Sequence, residues 1–486
     1  MISSAIASAL AGLQIASRRT EIAARNISGS TVEGYVRKEG RFSSGPLGLQ
    51  YDGIIRAADL PLAREAGQER AGLAGMEAEL TARTSLVQRL GDPRTGNDLG
   101  SSLTRLSQAL TQLGNRPDDI VLQQEAVDSA GETARFLNSL SKEVQNERLF
   151  AQRSIAADVA TANDRLAAIQ KLNEEIRVVP PQGDASDLLD ARDKAVQELT
   201  TILPVRVSQR PDGTVTLLTE TGVTLLDEKV HELQFAGGDA MGPELAYDRG
   251  RGGLPGLTVD GIDLTPGSGA PQAIRTGRLA GSFAVRDQVM PQAQRQLDAL
   301  ASTLARAFQQ ADATIGASTP QAGLLVDSAA PDAGMGAGTV TGLAGRLTVN
   351  PRVDPARGGE VWRVRTGVNA TSPGEVGDGD QARRFARIFE QSYDFDPAAG
   401  LASNTSLIAY ANQITDAQQA GKSALEANKS YQSSLVTSLE ARLADNQGVD
   451  LDKELQDTLL FERSYAASAQ VLQTATRMLD ELLQRI

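Results

Sequence analysis

Apolar residues recur at helical spacing along the last part of the chain, from Leu451 to the final residue. They alternate by four and three positions, which is typical of the seam of a helix that winds against a partner helix. Polar residues stand two positions before several of them, which indicates that the opposite face meets solvent. The pattern predicts a coiled-coil-like C-terminal helix. Its seam residues are Tyr465, Ala469, Leu472, Thr476, Leu479, Leu483 and Ile486.

The N-terminal part repeats this spacing with smaller side chains. Its seam residues are Ile6, Leu10, Leu13, Ser17, Thr20, Ala24 and Ile27, flanked by Ala9, Ala16 and Ala23. Small flanks allow two helices to approach closely, but they bury little apolar area at about 25 cal/mol per Å². Because that gain barely offsets the entropy lost on ordering, we expect this helix to be unstable alone. Its predicted partner is the C-terminal helix or another copy of the chain; an ordinary helix docked on its own domain is the alternative.

Long helices are predicted over residues 60–176, where leucines keep a helical spacing. After the second of two proline-containing breaks, Asp118 or Asp119 can cap a third helix. That helix has no proline or glycine between Glu132 and Val179. A pattern longer than about 25 residues indicates a coiled-coil or bundle arm.

Strand-like stretches interrupt this helical pattern. Residues 42–53 are predicted as a linker or hairpin, and strands are predicted at 205–208, 214–218, 223–226, 347–349 and 361–364. Helices are predicted over 188–202, from about 281, over 381–391 and from 401 to about 444. The order helix, strand, helix indicates that the outer parts of the chain form an α domain, so the two termini come together.

The predicted fold class is mainly α with inserted β-rich domains. It has coiled-coil-like terminal helices, a long helical bundle arm domain and mixed α/β outer domains. The expected domains are 1–45 with 448–486 as a terminal helical assembly domain, 46–203 with 280–316 and 401–447 as a long-helix bundle, 204–279 as an inserted β-rich domain, and 317–400 as a second inserted β- or loop-rich region.

Composition narrows the class of function. Of 486 residues, 61 are acidic and 48 basic, which gives a net charge of −13. This balance argues against nonspecific binding to nucleic acid or to an anionic membrane. The chain has no cysteine, which excludes disulfides and thiolate chemistry. It also has no run of about 18 apolar residues, the length that a membrane span requires.

Candidate catalytic and ligand motifs are incomplete. The sole histidine, His231, is not accompanied by the G-x-S-x-G motif of a serine hydrolase. Gly421-Lys422-Ser423 resembles the end of a phosphate loop, but it lacks the first glycine and lies inside a long predicted helix. Asp378 and Asp380 open like a calcium loop, yet Arg383 stands where the glycine of that loop belongs. The sequence predicts no catalytic, cofactor or metal site, and a protein that is not an enzyme.

Short motifs stand near both ends of the chain. One is Asn26-Ile27-Ser28 followed by Gly34-Tyr35-Val36-Arg37. The other is Gly448-Val449-Asp450-Leu451-Asp452 with Tyr465-Ala466-Ala467-Ser468-Ala469-Gln470-Val471-Leu472. Together they resemble the signatures of the bacterial flagellar axial proteins, the family of rod, hook and hook-associated proteins. Three further features resemble the hook-associated members of this family. They are the long helices, the motif Asp187-Leu188-Leu189-Asp190-Ala191-Arg192-Asp193 and the motif Gly277-Arg278-Leu279-Ala280-Gly281.

The resemblance implies a structural subunit that self-assembles through its terminal helices at the junction between hook and filament. The partners it implies are further copies in a tubular ring or layer, the hook protein and the second junction protein on either side, and an export chaperone. It implies no nucleic acid and no membrane insertion. The implied location is the flagellum outside the cell, reached by type III export without a cleavable signal peptide. The residues expected at the assembly interface are Ile6, Leu10, Leu13, Asn26, Ile27, Gly34, Tyr35, Leu451, Leu455, Tyr465, Leu472, Leu479, Leu483 and Ile486.

Two alternatives stay open at this point. A hook or distal-rod subunit would share the terminal motifs but not the long helices of residues 60–176. A surface hydrolase with coiled-coil ends would need titratable groups that converge in a pocket.

Overall fold

The computed structural model describes residues 2–45, 48–180, 183–247, 253–316 and 321–483. Helices dominate, and the sheets are small and antiparallel, which confirms the predicted fold class. The helices are α1 Ile2–Gly29, α2 Leu60–Leu90, α3 Leu99–Asn115, α4 Ile120–Val178, α5 Ser186–Ile202, α6 Arg278–Ala284, α7 Met290–Ala311, α8 Arg363–Thr366, α9 Asp380–Arg387, α10 Leu407–Gln447 and α11 Leu451–Leu483.

The strands form hairpins and short sheets. Three antiparallel pairs are β1 Lys38–Gly45 with β2 Gly48–Arg56, β9 Leu325–Asp327 with β10 Leu347–Val349, and β11 Ser392–Asp394 with β12 Asn404–Ser406. Two antiparallel three-stranded sheets have the strand orders β3 Val205–Gln209, β4 Val215–Thr219, β5 Thr224–Leu226 and β6 Leu233–Gln234, β7 Thr258–Val259, β8 Ile262–Asp263. The predicted hairpin and the predicted strands at 205–208, 214–218, 223–226 and 347–349 are confirmed.

The predicted strand at 361–364 is wrong, because the segment enters the short helix α8 instead. Its two valines, Val361 and Val364, are three positions apart, which suits a helical turn better than a strand, whose period is two. Both contact the same core. The buried Arg365 then donates to the carbonyl of Pro373 at 2.6 Å and fixes the following loop.

Aspartates set the starts of the long helices. The side chain of Asp59 accepts from the backbone N–H of Leu62, at the start of α2. Asp98 accepts from the N–H of Gly100 at 2.9 Å, and Asp119 accepts from that of Val121 at 2.9 Å. These side chains satisfy N–H groups that have no partner within the helix. Asp119 is therefore the cap of α4, which then runs unbroken for 59 residues.

The first hydrophobic core lies among α3, the first half of α4, α7, α9 and the start of α10. Leucines of α3, α4 and α7 fill it, and Phe308 packs edge-on against Phe385 with ring centroids 5.3 Å apart. Residues 322–400 contribute Leu324, Leu343 and Val353 to this same core. The segment expected as a second inserted region thus packs directly on the bundle; the expected domain boundaries themselves stay predictions.

The second core lies along the other half of α4. It combines α4 and α5 with the strands β3 to β7 and with Leu279 and Phe283 of α6. Where the two cores meet, the buried Arg148 of α4 donates to the carbonyls of Arg286 and Gly242, each at 3.0 Å. Burial lowers the pKa of Arg148 to about 10. A buried polar contact therefore joins the bundle to the β-rich part.

Helices α2 and α6 cross at two glycines. A Cβ atom on Gly281 would lie 2.2 Å from the carbonyl oxygen of Gly75. Gly277 precedes α6 with φ of +98°, where a Cβ atom would meet the Ile202 carbonyl oxygen at 2.7 Å. Both ends of the 277–281 motif are thus glycine because backbone approaches backbone.

We expect Gly281→Ala to destabilise the protein by about 1–3 kcal/mol, because the added methyl group meets backbone that cannot move aside. The matched control is Gly72→Ala in α2, where the added Cβ has only the Gln432 side-chain amide at 3.4 Å. That control should be neutral or stabilising by about 0.5–1 kcal/mol, since alanine favours a helix over glycine. The urea midpoint, followed by far-UV circular dichroism, measures both; equal midpoints for Gly281→Ala and the unaltered chain would contradict the close crossing.

Candidate assembly interface

Helices α1 and α11 form an antiparallel pair in a seven-residue register. A Cβ atom on Gly12 would lie 2.6 Å from Ser468 Oγ. The Arg19 guanidinium lies 5.5 Å from the ring centroid of Phe461. The third contact is a hydrogen bond of 2.9 Å from Asn26 to Glu454. Each contact is seven residues beyond the last on α1 and seven before it on α11, as in an antiparallel coiled coil.

Small residues make up much of the buried face of α1, on which Ile22 is the large apolar residue. Ala9, Ala16 and Ala23 are at most 5% exposed. The larger side chains of the predicted stripe lie beside this seam: Ile6 and Leu13 are half-buried, and Leu10 is 46% exposed. The alanines that the sequence presents as flanks are therefore the main contact within the molecule, and the stripe lies at the edge of the pair.

Helix α11 leaves most of its large apolar residues in solvent. Ala475 is the buried apolar residue of its described part, and the exposed ones range from Leu479 at 40% to Leu460 at 60%. Leu472 is half-buried. The side chain of Leu483 and all of Ile486 lie outside the described residues. The exposed residues are Leu451, Leu455, Leu459, Leu460, Tyr465, Val471, Met478 and Leu479.

These residues form two edges on either side of the seam with α1. Leu451, Leu455 and Leu459 advance in steps of four along one edge. Leu460, Val471 and Met478 follow the other edge in steps of eleven and seven. On a helix with 3.6 residues per turn, the second set keeps nearly one angular position, whereas the first set turns by about 40° with each step. The pair thus presents apolar surface in two directions.

Asn26 fixes the end of the pair where the chain leaves α1. Its side-chain oxygen accepts from the N–H of Lys38 at 2.9 Å and from the Tyr35 hydroxyl at 3.0 Å. Its amide donates to the Lys38 carbonyl at 3.0 Å as well as to Glu454. Asn26 is 1% exposed, and its two donors and its acceptor oxygen are all used. One buried side chain therefore joins α1, β1 and the start of α11.

The turn that follows α1 brings the predicted residues Gly34 and Tyr35 to this point. Gly34 has φ of +84°, which favours glycine. The Tyr35 ring lies against Gly29, where a Cβ atom would be 2.4 Å from it. Burial, with added repulsion from Asp190 and Asp187, raises the pKa of Tyr35 to about 12. The phenol therefore stays protonated and keeps its hydrogen bond to Asn26. Ile27, next to Asn26, is half-buried.

Three aspartates of α5 hold the base of the β1–β2 hairpin. Lys38 and Arg56 face each other across the hairpin. Lys38 pairs with Asp187, and Arg56 contacts Asp190 and Asp193, each at 2.7 Å. Burial raises the pKa of Asp190 although Arg56 and Lys38 act to lower it. Because α5 belongs to the second core, these ion pairs couple the terminal helices to the rest of the molecule.

Sequence reasoning found some of these residues and missed others. It named Asn26 and Tyr35, which the structure brings together. It missed Gly12, Glu454 and the aspartates of α5 as contact residues. The aspartates occur at three-residue spacing, which places them on one helix face and could have been recognised; their partners on a hairpin could not. Within the ranges that the structure describes, no helix is long and apolar enough to cross a membrane, and no cluster of three or more acidic or histidine side chains could hold a metal ion.

Comparison with protein families gives two matches. Residues 85–317 match the model described as the helical domain of flagellar hook-associated protein FlgK. Residues 446–485 match the model described as the C-terminal region of the flagellar basal body rod FlgEFG proteins. The first match begins in α2 and ends after α7, and the second covers α11.

Individual relatives align over nearly the whole chain. Flagellar hook-associated protein 1 of Escherichia coli is 23% identical over 559 aligned residues, covering 99% of this chain and 100% of the relative. The protein of the same name from Bacillus subtilis is 21% identical, covering 95% of this chain and 94% of the relative. A solved structure of the flagellar hook junction protein FlgK from Burkholderia pseudomallei is similar with a TM-score of 0.43 and 22% identity, over 54% of this chain and 46% of that one.

We expect Asn26→Ala to loosen the end of the helix pair. The change leaves the Lys38 backbone groups and Glu454 without their partner, and an unsatisfied buried group costs about 1–3 kcal/mol. Hydrogen exchange of the Lys38 amide and of the first turns of α11 should speed up. The control is Asn428→Ala, at an exposed position of α10, which should leave exchange unchanged; protection of Lys38 equal to that of the unaltered chain would refute the role of Asn26.

A second expectation concerns pH. Burial raises the pKa of Glu454, although the hydrogen bond from Asn26 acts to lower it. A carboxyl group whose pKa is higher in the folded state contributes stability at low pH, and this contribution is lost as the pH rises through the raised value. Glu454→Gln keeps the acceptor but removes the charge. The variant should therefore protect α11 from exchange better than the unaltered chain at pH 7, and less so towards pH 4; a difference that does not vary with pH would contradict this.

Proposed function

We propose that the chain is a member of the flagellar axial protein family that includes hook-associated protein 1, and that it is a structural subunit of the junction between hook and filament. Its mechanism is polymerisation: the edges of the α1–α11 pair pack on the corresponding helices of neighbouring subunits. The proposed location is the flagellum outside the cell. The proposed neighbours are further copies of the chain, the hook protein and the second junction protein, with a chaperone during export. No catalytic step is part of the proposal.

The observation that carries this proposal is the apolar surface that α1 and α11 leave in solvent. Fully burying a leucine or valine side chain is worth about 1.5–3 kcal/mol. A side chain that is already half-buried can therefore gain about 1 kcal/mol from a neighbour. The exposed residues of α11 together with Leu10 offer a gain of several kcal/mol on that scale, which must still offset the entropy of association. Such surface favours assembly over a soluble monomer.

The two edges on α11 fit an assembly in which each subunit contacts more than one neighbour. A contact between two different surfaces, repeated by a rotation and a rise, gives an open tube rather than a closed dimer. The hydrogen bonds of Asn26 and the ion pairs of α5 then hold the outer parts of each subunit in a fixed relation to that tube.

The alternatives are less well supported. The family match over 85–317 favours a hook-associated protein over a hook or distal-rod subunit. A cleft beside α7 is lined by Asp287, Asp298 and Arg295, among other residues. It does not favour a hydrolase, because Asp287 and Asp298 both have structural partners. Asp287 pairs with Arg286 at 2.8 Å, and Asp298 accepts from the N–H groups of Gly342 and Ala344.

The position in the flagellum is tested by immunogold labelling of isolated hook–filament structures. A band confined to the join is expected. Label along the whole hook would favour the hook or rod alternative, and absence of label from the flagellum would refute the proposal.

We expect Leu479→Asp to leave the bundle and the β-rich part folded but to block incorporation. The substitution places a charge on the surface that must become buried between subunits, and burying an unpaired charge is costly. Cells that carry only this variant should secrete the protein and grow few filaments. The control is Val178→Asp at the exposed end of α4, which should assemble normally. Normal filament numbers with Leu479→Asp would count against assembly through this helix.

A further inference from the structure

Two arginines of α9 make no hydrogen bond or ion pair among the described residues, although both, after the hydrogen bond from Arg383, lower the pKa of the nearby Asp380 through their charge. Arg384 and Arg387 are exposed and line a cleft of about 440 Å³ between α9 and the end of α7. Neighbouring Arg383 differs, because it donates to the Gly114 carbonyl and to Asp380, each at 2.6 Å. The cleft also presents the amides of Gln310 and Gln391, the Tyr393 phenol and Asp380, which Arg383 neutralises. Two guanidinium groups beside amide donors suit a partner that carries carboxylates.

An acidic face lies on the first part of α4. Residues 120–134 contain three carboxylates and no lysine or arginine. Glu125, Asp128 and Glu132 are all exposed and follow one another at helical spacing. Asp128 accepts from Gln124 at 3.0 Å. Glu125 and Glu132 make no ion pair in the described part of the chain, although Glu132 lines a cleft together with Arg105 and Arg135. Val121, at the start of this face, is 68% exposed.

The basic and the acidic face do not meet within one molecule. Helices α4 and α9 each pack against both α3 and α7, and the charged residues of both faces are exposed. No ion pair among the described residues joins Arg384 or Arg387 to α4. One bundle thus carries two exposed surfaces of opposite charge, and a contact between one of them and the other on the next copy would be head-to-tail.

We propose that the α9 arginines of one subunit dock on the acidic face of α4 of the neighbouring subunit, so that the bundles also contact each other around the junction. This rests on the proposed function, since it requires copies side by side in a tube. A second copy is the chosen partner because the complementary charges are on this chain itself. An acidic surface of another flagellar protein is the competing occupant.

The proposed ion pairs affect the relative orientation of neighbouring subunits more than the affinity between them. Exposed ion pairs contribute about 0–1 kcal/mol each and are screened over about 8 Å at physiological salt. Complementary charges still steer association and suppress wrong registers, because like charges brought together at an interface cost several kcal/mol. In this arrangement the apolar edges of α11 supply affinity, and the charged faces of the bundle set the lateral register.

Cysteine pairs test the contact directly, because the chain has no cysteine of its own. The double variant Arg387→Cys with Glu132→Cys is treated with a short bis-maleimide in isolated hook–filament structures. A ladder of covalent dimers, trimers and larger multimers is expected, and each single variant should stay monomeric. Two outcomes overturn the proposal: no ladder while the protein is labelled at the junction, or a crosslink within one chain in the secreted monomer.

Charge reversal provides a second test with its own rescue. Arg384→Glu with Arg387→Glu should lower the number of filaments per cell by about tenfold or more, if like charges cost at least 1.4 kcal/mol at each contact. Adding Glu125→Arg and Glu132→Arg to the same chain should restore the number. The control is Arg206→Glu with Arg275→Glu, which gives the same change in net charge at exposed positions of the β-rich part.

The outcomes separate the two proposals. If the unaltered protein is absent from the junction, the proposed function fails. If it is present, but charge reversal has no effect beyond that of the control, only the lateral contact fails. A loss of filaments that the acidic-face reversal does not rescue assigns the arginines to another partner and also overturns the contact between copies.

Discussion

The close approach of α1 and α11 is the constraint on which the rest of the structure depends. Alanine and glycine occupy the centre of the seam, so the larger apolar residues are displaced to its edges. A seam of small residues gains little from burial, and the pair therefore needs both neighbours and a polar anchor. Asn26 is that anchor. A slip of the seam would leave its amide buried without partners, which makes the observed register the favoured one.

Most helices and half of the described strands could be predicted from sequence because period and turn residues determine them locally. The face that each terminal helix uses could not be predicted so well. The stripe through Leu10 and Leu13 and the alanine row beside it both have helical spacing, and spacing alone does not tell which row pairs inside the molecule. The partners of Asn26 could not be predicted from sequence either, because Glu454 is 428 residues away in the chain. The error at 361–364 came from reading valines three apart as a strand.

The helix pair is not equally fastened along its length. At one end the hydrogen bonds of Asn26 and the ion pairs of Lys38 and Arg56 hold it to β1, β2 and α5. Further along, contacts such as that between Gly12 and Ser468 involve small side chains. Elements with few buried apolar contacts open at low free energy. The helix pair thus has a fixed base, and its two ends would gain most from the order that neighbouring subunits impose in the proposed assembly.

Helix α4 links the two cores without a break. Its 59 residues span roughly 90 Å at 1.5 Å per residue. The two cores meet on it at Arg148, whose guanidinium holds carbonyl groups of both α6–α7 and the β-rich part. Tilting one core against the other would require breaking the helix or freeing a buried arginine. A sideways load on the β-rich part is therefore delivered to the bundle as a torque along a stiff lever arm, instead of being absorbed at a hinge.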